Sequence, residues 1–306
     1  MRYTTIIGSV ALLMVPAAAS AGECQPTFAS GNQSLVINGT EIEPGGLAAQ
    51  DFQVLVQNAA AGATSTRSIV GVPPCEAVIR IARKGAPPIS GYPPFVISAS
   101  GNNQVEILEN DTSGGSVSSN VEIGGAPSWI FKVEVPTEWG LQAGTYVEYL
   151  ELLLLDRNGD GSTITDRRDL TVTIVIPPAV SLRLVGAVVG GGGSNEPARV
   201  DLGNLSSSTS TQSEPFAARI FSTTPYIVSF NSINLGNMVH EQGRDQVPYR
   251  LFFDGALVNL AGTAEFFYPD HTPQGGDNRP MSVVVPPVVA LAGRYSDRVT
   301  VTVTTM

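Results

Sequence analysis

What most constrains this chain is a stretch that it uses twice. Residues 143–154 read Ala-Gly-Thr-Tyr-Val-Glu-Tyr-Leu-Glu-Leu-Leu-Leu, and residues 292–303 read Ala-Gly-Arg-Tyr-Ser-Asp-Arg-Val-Thr-Val-Thr-Val. Gly144 aligns with Gly293, Tyr146 with Tyr295 and Glu148 with Asp297. Leu150, Leu152 and Leu154 fall on Val299, Val301 and Val303. Upstream, Phe131, Val133 and Val135 answer to Met281, Val283 and Val285 after a one-residue slip. An alternating strand, a Pro, a loop, a Gly turn with a Tyr and a second alternating strand recur, so the chain carries two copies of one β-domain.

The remaining apolar residues follow the same period of two. Phe52, Val54 and Val56 alternate with Gln53 and Gln57, and Leu170, Val172, Ile174 and Ile176 with Thr171 and Thr173. Such alternation predicts half-buried antiparallel strands. Turn-forming clusters such as Pro44-Gly45-Gly46 and Asn158-Gly159 separate the runs. The fold class expected is all-β, two tandem immunoglobulin-like sandwiches. In such a fold a Tyr at the start of a late strand turns its hydroxyl back onto the backbone, which gives Gly144, Tyr146, Gly293, Tyr295 and Asp297 a structural role in a turn. Pro177-Pro178 divides the chain into residues 22–178 and 179–306.

Residues 1–21 read as a secretory signal. Arg2 is the positive end, Ile6 to Val15 the apolar run, and Ala19-Ser20-Ala21 the small-residue cleavage site. In an exported chain the pair Cys24 and Cys75 is expected to form a disulfide. Closing a loop of that length stabilises the fold by roughly 4 kcal/mol on the chain-entropy model. The formal net charge of −10 argues against nucleic acid, since no basic patch is present to displace phosphate counterions.

Catalytic patterns are poorly represented. There is no Gly-x-Ser-x-Gly or His-Glu-x-x-His, and Tyr268-Pro269-Asp270-His271 with Asp277 reads as a solvated loop. The expectation is a protein that is not an enzyme and uses no cofactor or metal. Asp156, Asn158 and Asp160 start like a calcium loop, but the twelfth position is Arg167 rather than Glu, and Asn-Gly and Asp-Gly suit an ordinary hairpin. Aromatic residues near Pro and Gly stand out instead: Ile89, Tyr92 and Phe95 in 86–95, Trp129 after Pro127, and Trp139 before Gly140. They are either exposed, rigid, adhesive loop tips or core residues at strand ends.

The second half resembles the spore coat protein U domain family. The likeness rests on Val247-Pro248-Tyr249-Arg250-Leu251-Phe252-Phe253-Asp254-Gly255, and on Gly293-Arg294-Tyr295-Ser296-Asp297 with alternating Val and Thr after it. It covers about residues 179–306, and the first half shares only the repeated motif. The resemblance implies a subunit of an archaic chaperone–usher pilus. The second sandwich is then incomplete, filled by a strand from a periplasmic chaperone and later from a neighbouring pilin subunit, with an outer-membrane usher as assembly site. Cys24, if bonded, ties the chain's start into the first domain and leaves no donor segment, which points to the two-domain tip adhesin. Such a subunit passes through the periplasm to the cell surface, attaches to an abiotic or host surface and supports biofilm formation. The alternative is a secreted sugar-binding or sugar-cleaving β-sandwich protein.

Overall fold

The computed structural model describes residues 25–39, 42–43, 45–59, 75–85, 92–99, 103–105, 107–108, 120–123, 128–156, 163–190 and 197–306. Every helix or strand among them is a strand. The signal segment, Cys24, Ile89, Asn158 and Asp160 lie outside the described residues.

The first half supplies β1 (Pro26–Phe28), β2 (Gln33–Asn38), β3 (Leu47–Asn58), β4 (Cys75–Arg83), β5 (Val96–Ala99) and β6 (Asn103–Val105). It continues with β7 (Ile107–Leu108), β8 (Asn120–Ile123), β9 (Ser128–Pro136), β10 (Gly144–Asp156) and β11 (Ile164–Ile176). One sheet runs β1-β3-β9-β5-β6 and the other β2-β11-β10-β4-β7, with β8 added to β4. Alternation decides which residues meet between the sheets. Phe131, Val133 and Val135 of β9 face Leu150, Leu152, Leu154, Leu170, Val172 and Ile174 in one core. Phe52 and Phe131, paired across β3 and β9, stack with centroids 5.0 Å apart. Full burial of each aliphatic side chain contributes about 1.5–3 kcal/mol, so this core dominates the sandwich.

The second half supplies β12 (Val180–Gly186), β13 (Val189–Gly190), β14 (Ala198–Arg199), β15 (Thr211–Gln212), β16 (Phe216–Ser222), β17 (Tyr226–Ser232) and β18 (Asn237–His240). Then follow β19 (Gln246–Pro248), β20 (Arg250–Phe253), β21 (Ala256–Leu257), β22 (Ala264–Tyr268), β23 (Asp277–Val285), β24 (Tyr295–Ser296) and β25 (Val299–Thr305). The main sheet runs β12-β16-β23-β20-β21, opposed by β22-β17-β25. A small sheet, β19-β18-β24, extends one end. The repeat read in the sequence therefore has a counterpart in space: β9 and β23 lie in one sheet of their sandwich, β10 and β25 in the other.

Among the described residues no ladder joins the two halves, and each has its own core. They meet around Thr223, whose hydroxyl donates to Pro177 O at 2.9 Å and accepts from Ala179 N at 2.8 Å. Its carbonyl accepts from Ala143 N at 2.7 Å. Trp139 lies against Phe221 with ring centroids 5.5 Å apart. Gly140, at φ +100°, abuts the Gln274 backbone, where a Cβ would come within 2.8 Å of Gln274 N.

Candidate functional site

The two copies of the repeated strand differ in one respect. In the first sandwich β10 is paired on both sides over residues 150–155, antiparallel to β4 and to β11. In the second, β25 pairs antiparallel with β17 alone, Val301 opposite Phe230 and Val303 opposite Val228. Among the described residues, the other edge of β25 has no partner strand. Burial follows the pairing. Leu150, Leu152 and Leu154 are at most 1% exposed, whereas Val299, Val301 and Val303 are only half-buried.

Across from that edge lies β12, alongside β25 without a ladder between them. Val180, Leu182 and Leu184 of β12 are also half-buried against the second core. Two rows of apolar side chains and a row of free backbone N–H and C=O groups thus flank one groove. An added strand is the ligand that satisfies both, through ladder bonds and alternating side chains.

Both tyrosine corners form. The Tyr146 hydroxyl donates to Gln142 O at 2.8 Å, and that of Tyr295 lies 3.1 Å from Leu291 O, each four residues upstream. Tyr295 also donates to Asp245 Oδ2 at 2.6 Å. Partial burial and then Asp245 push the Tyr295 hydroxyl above its usual range, while Tyr295 and then Leu291 N–H hold the Asp245 carboxyl below its own. The aligned acids serve as anchors beside these corners. Buried Glu148 pairs with Arg83 Nε at 2.6 Å, and Asp297 accepts from Tyr249 and Ser232 hydroxyls, each at 2.6 Å.

Tyr146→Phe removes one neutral hydrogen bond, an expected loss of about 1 kcal/mol in urea unfolding. Tyr295→Phe should lower the midpoint further, since Asp245 also loses its donor. A depressed carboxylate stabilises the fold above its ordinary pKa and ceases to do so as pH falls through the lower folded value. The excess effect of Tyr295→Phe should therefore shrink below about pH 4.

The glycines of the motif are not equivalent. Gly144 has ordinary backbone geometry, and a Cβ there would meet Tyr146 at 3.5 Å. Gly293 sits at φ +150°, where a Cβ would fall 2.1 Å from His240 Nε2. His240 is buried, with Nε2 3.1 Å from Ala292 O and Nδ1 accepting from Gln242 N.

Of the residues read as exposed loop tips or strand-end core residues, Tyr92, Phe95 and Trp129 take up the second arrangement. Tyr92 and Phe95 are half-buried against the first core, and Tyr92 meets Tyr146 edge-on at 5.6 Å. The Tyr92 hydroxyl is buried without a partner among the described residues, and burial and then the Glu148 charge raise its pKa. Trp129 also packs on the first core, while Trp139 is half-buried beside Phe221. Asp277 does not join Asp270 and His271; it accepts from Tyr226 and Arg279. Asp156 ends β10. Among the described residues, no group of three His, Cys, Asp or Glu side chains is placed to hold a metal ion. The wall formed by β12 was missed in the sequence, although Val180, Leu182 and Leu184 alternate there as clearly as the valines of β25.

No protein-family model matches the chain, and no curated protein matches it. Among solved structures it is similar to the CsuC–CsuE chaperone–tip adhesion subunit pre-assembly complex from archaic chaperone–usher Csu pili of Acinetobacter baumannii. The identity is 15% and the TM-score 0.40, covering 92% of this chain and 99% of that one. It is also similar to a chaperone–tip adhesin complex of CFA/I fimbriae biogenesis, at 11% identity and TM-score 0.39, covering 93% and 98%. For the CupB6 tip adhesin from Pseudomonas aeruginosa the identity is 13%, the TM-score 0.36 and the coverage 92% and 94%.

Proposed function

We propose that the protein is an exported, non-enzymatic subunit of an archaic chaperone–usher pilus, with a spore coat protein U-like second domain. In this reading the first domain, residues 22–178, is the adhesive tip, and the second, residues 179–306, takes a strand from a periplasmic chaperone and then from a neighbouring pilin at the outer-membrane usher. The observation that carries the reading is the unpaired edge of β25 beside half-buried Val299, Val301 and Val303, at the position where the first sandwich closes itself with β11. The asymmetry also supports the division of labour: β1 and β2 are already paired within the first sandwich. Co-expression with a strand-donating chaperone should give an equimolar periplasmic complex. Expression alone should give aggregate or degradation product, and a stable, monodisperse monomer would refute the reading.

Cys24 and Cys75 are assigned to a disulfide that fixes the start of the first domain to β4. Non-reduced peptide mapping of periplasmic protein should recover the bridged pair, against two free thiols.

Attachment is assigned to the Pro- and Gly-rich stretch 86–95 of the first domain. Because Tyr92 and Phe95 pack on the core, Tyr92→Ser and Phe95→Ser should lower subunit yield. Ile89→Ser should spare yield and fibres and reduce adhesion to a hydrophobic surface. Unchanged adhesion of assembled Ile89→Ser fibres would remove Ile89 from the binding surface.

A further inference from the structure

The end of the second sandwich farthest from the first domain has an unusual surface. The opposite end is occupied: Ala143 and Trp139 contact Thr223 and Phe221 there, and Met306 N donates to Pro225 O where β25 finishes. At the far end, where β17 stops and β25 begins, Ile233 and Leu235 are 63% and 61% exposed. In the loop that leads into β24, Val289 and Leu291 are 89% and 54% exposed.

These side chains are held outward on a fixed frame. Leu235 has φ 53°, a conformation that a leucine adopts only under local constraint. The constraint is visible: Ser232 Oγ accepts from Gly236 N and donates to Asp297, which also accepts from Asn234 N. Leu291 N is tied to Asp245 Oδ2. The same segments present cations. Arg298 O accepts from Ile233 N, Arg294 O accepts from Glu241 N, and Arg244 lies in the turn between β18 and β19. All three arginines are exposed and, among the described residues, form no ion pair. Of the neighbouring carboxylates, those of Asp245 and Asp297 are engaged by Tyr295 and Tyr249, which leaves exposed Glu241 as one acid beside three arginines. An apolar surface with free arginines on a chain of net charge −10 is complementary to an acidic protein face.

We infer that this pole is the docking surface for the acidic, partly apolar folded body of the same protein whose strand fills the β25 edge. The inference rests on the strand-accepting reading and extends it. A strand lying along β25 enters or leaves at one of its two ends, and the first domain occupies the end near Thr305. The body attached to the strand is therefore placed at the end near Val299, beside Ile233 and Arg298.

The test places p-benzoylphenylalanine at Leu291 or at Thr302 of the full chain, with photocrosslinking in the periplasm and mass-spectrometric mapping. Both positions should capture the same protein, Thr302 through an extended apolar segment and Leu291 through an acidic region of its folded body. In an Arg244→Glu, Arg294→Glu background the Leu291 adduct should fall at least tenfold while the Thr302 adduct persists. Arg244→Lys with Arg294→Lys should retain both. No adduct at Leu291, an adduct with a different protein, or one insensitive to charge reversal would overturn the docking surface and leave the strand reading intact. Loss of the Thr302 adduct on charge reversal would also overturn it, because the arginines would then serve the strand itself. Absence of any Thr302 adduct in the unreversed background would overturn the strand reading on which the inference rests.

Discussion

Val301→Asp should abolish the periplasmic complex of the second domain with its strand donor, while Thr302→Asp leaves it nearly intact. Val301 points into the groove and packs on the second core, whereas Thr302 is exposed on the opposite face. Once a strand closes the groove, an aspartate at 301 would be an unpaired charge in an apolar interior, at a cost of at least about 3 kcal/mol. That corresponds to a hundredfold or greater loss of complex. At 302 the change is confined to the surface, where about 0.5 kcal/mol is usual. Quantitative recovery of complex from periplasm measures the difference. Equal yields from the two variants would mean that the register of β25 against β17 is not the one described.

Gly293→Val should be the most damaging single change in the repeated motif, and Gly144→Ala among the mildest. Position 293 combines a left-handed backbone with a Cβ position 2.1 Å from His240 Nε2, so a side chain there must displace a buried ring that is bonded to Ala292 and Gln242. Backbone strain and the broken contacts together are expected to cost about 3 kcal/mol or more. At Gly144 a methyl group meets only the edge of Tyr146, at 3.5 Å. Thermal melts of the two variants in the strand-complemented state should separate by many degrees. Similar midpoints would show that the His240 corner adapts readily and that the contact is not structural.

Much of the fold was legible because alternation is a direct consequence of strand geometry. Phe131, Val133 and Val135 alternate with Lys132 and Glu134 in the sequence; the first three are buried and the other two face outward. The tyrosine corner was legible for a similar reason, since its hydroxyl reaches only the local backbone. Long-range consequences were not. Nothing near Tyr92 or Phe95 in the sequence indicates that the Tyr146 ring would draw Tyr92 inward, because that contact joins residues more than fifty positions apart. Trp139 was ambiguous because its partner, Phe221, belongs to the other half of the chain. Nothing in Thr211 and Gln212 marks a strand in the sequence, yet they form β15 against Val285 and Val284. Two residues are too few to carry a period. The open groove was legible only in part: the alternation of Val and Thr along β25 is plain in the sequence, but the opposing wall on β12 depends on how two distant strands meet.

Amide hydrogen exchange along β25 tests the central claim most directly. In an antiparallel pair, alternate N–H groups point to the partner and the rest point away. In the chain without a donor, the β25 amides directed at β17 should be protected, and those on the other edge should exchange at close to unfolded rates. Over residues 150–155 of β10, where the strand is paired with both β4 and β11, both sets should be protected. Addition of the donor strand should slow the fast β25 set by a hundredfold or more and leave β10 unchanged. Uniform protection of β25 in the chain alone would contradict the account, since it would mean that the edge is already closed.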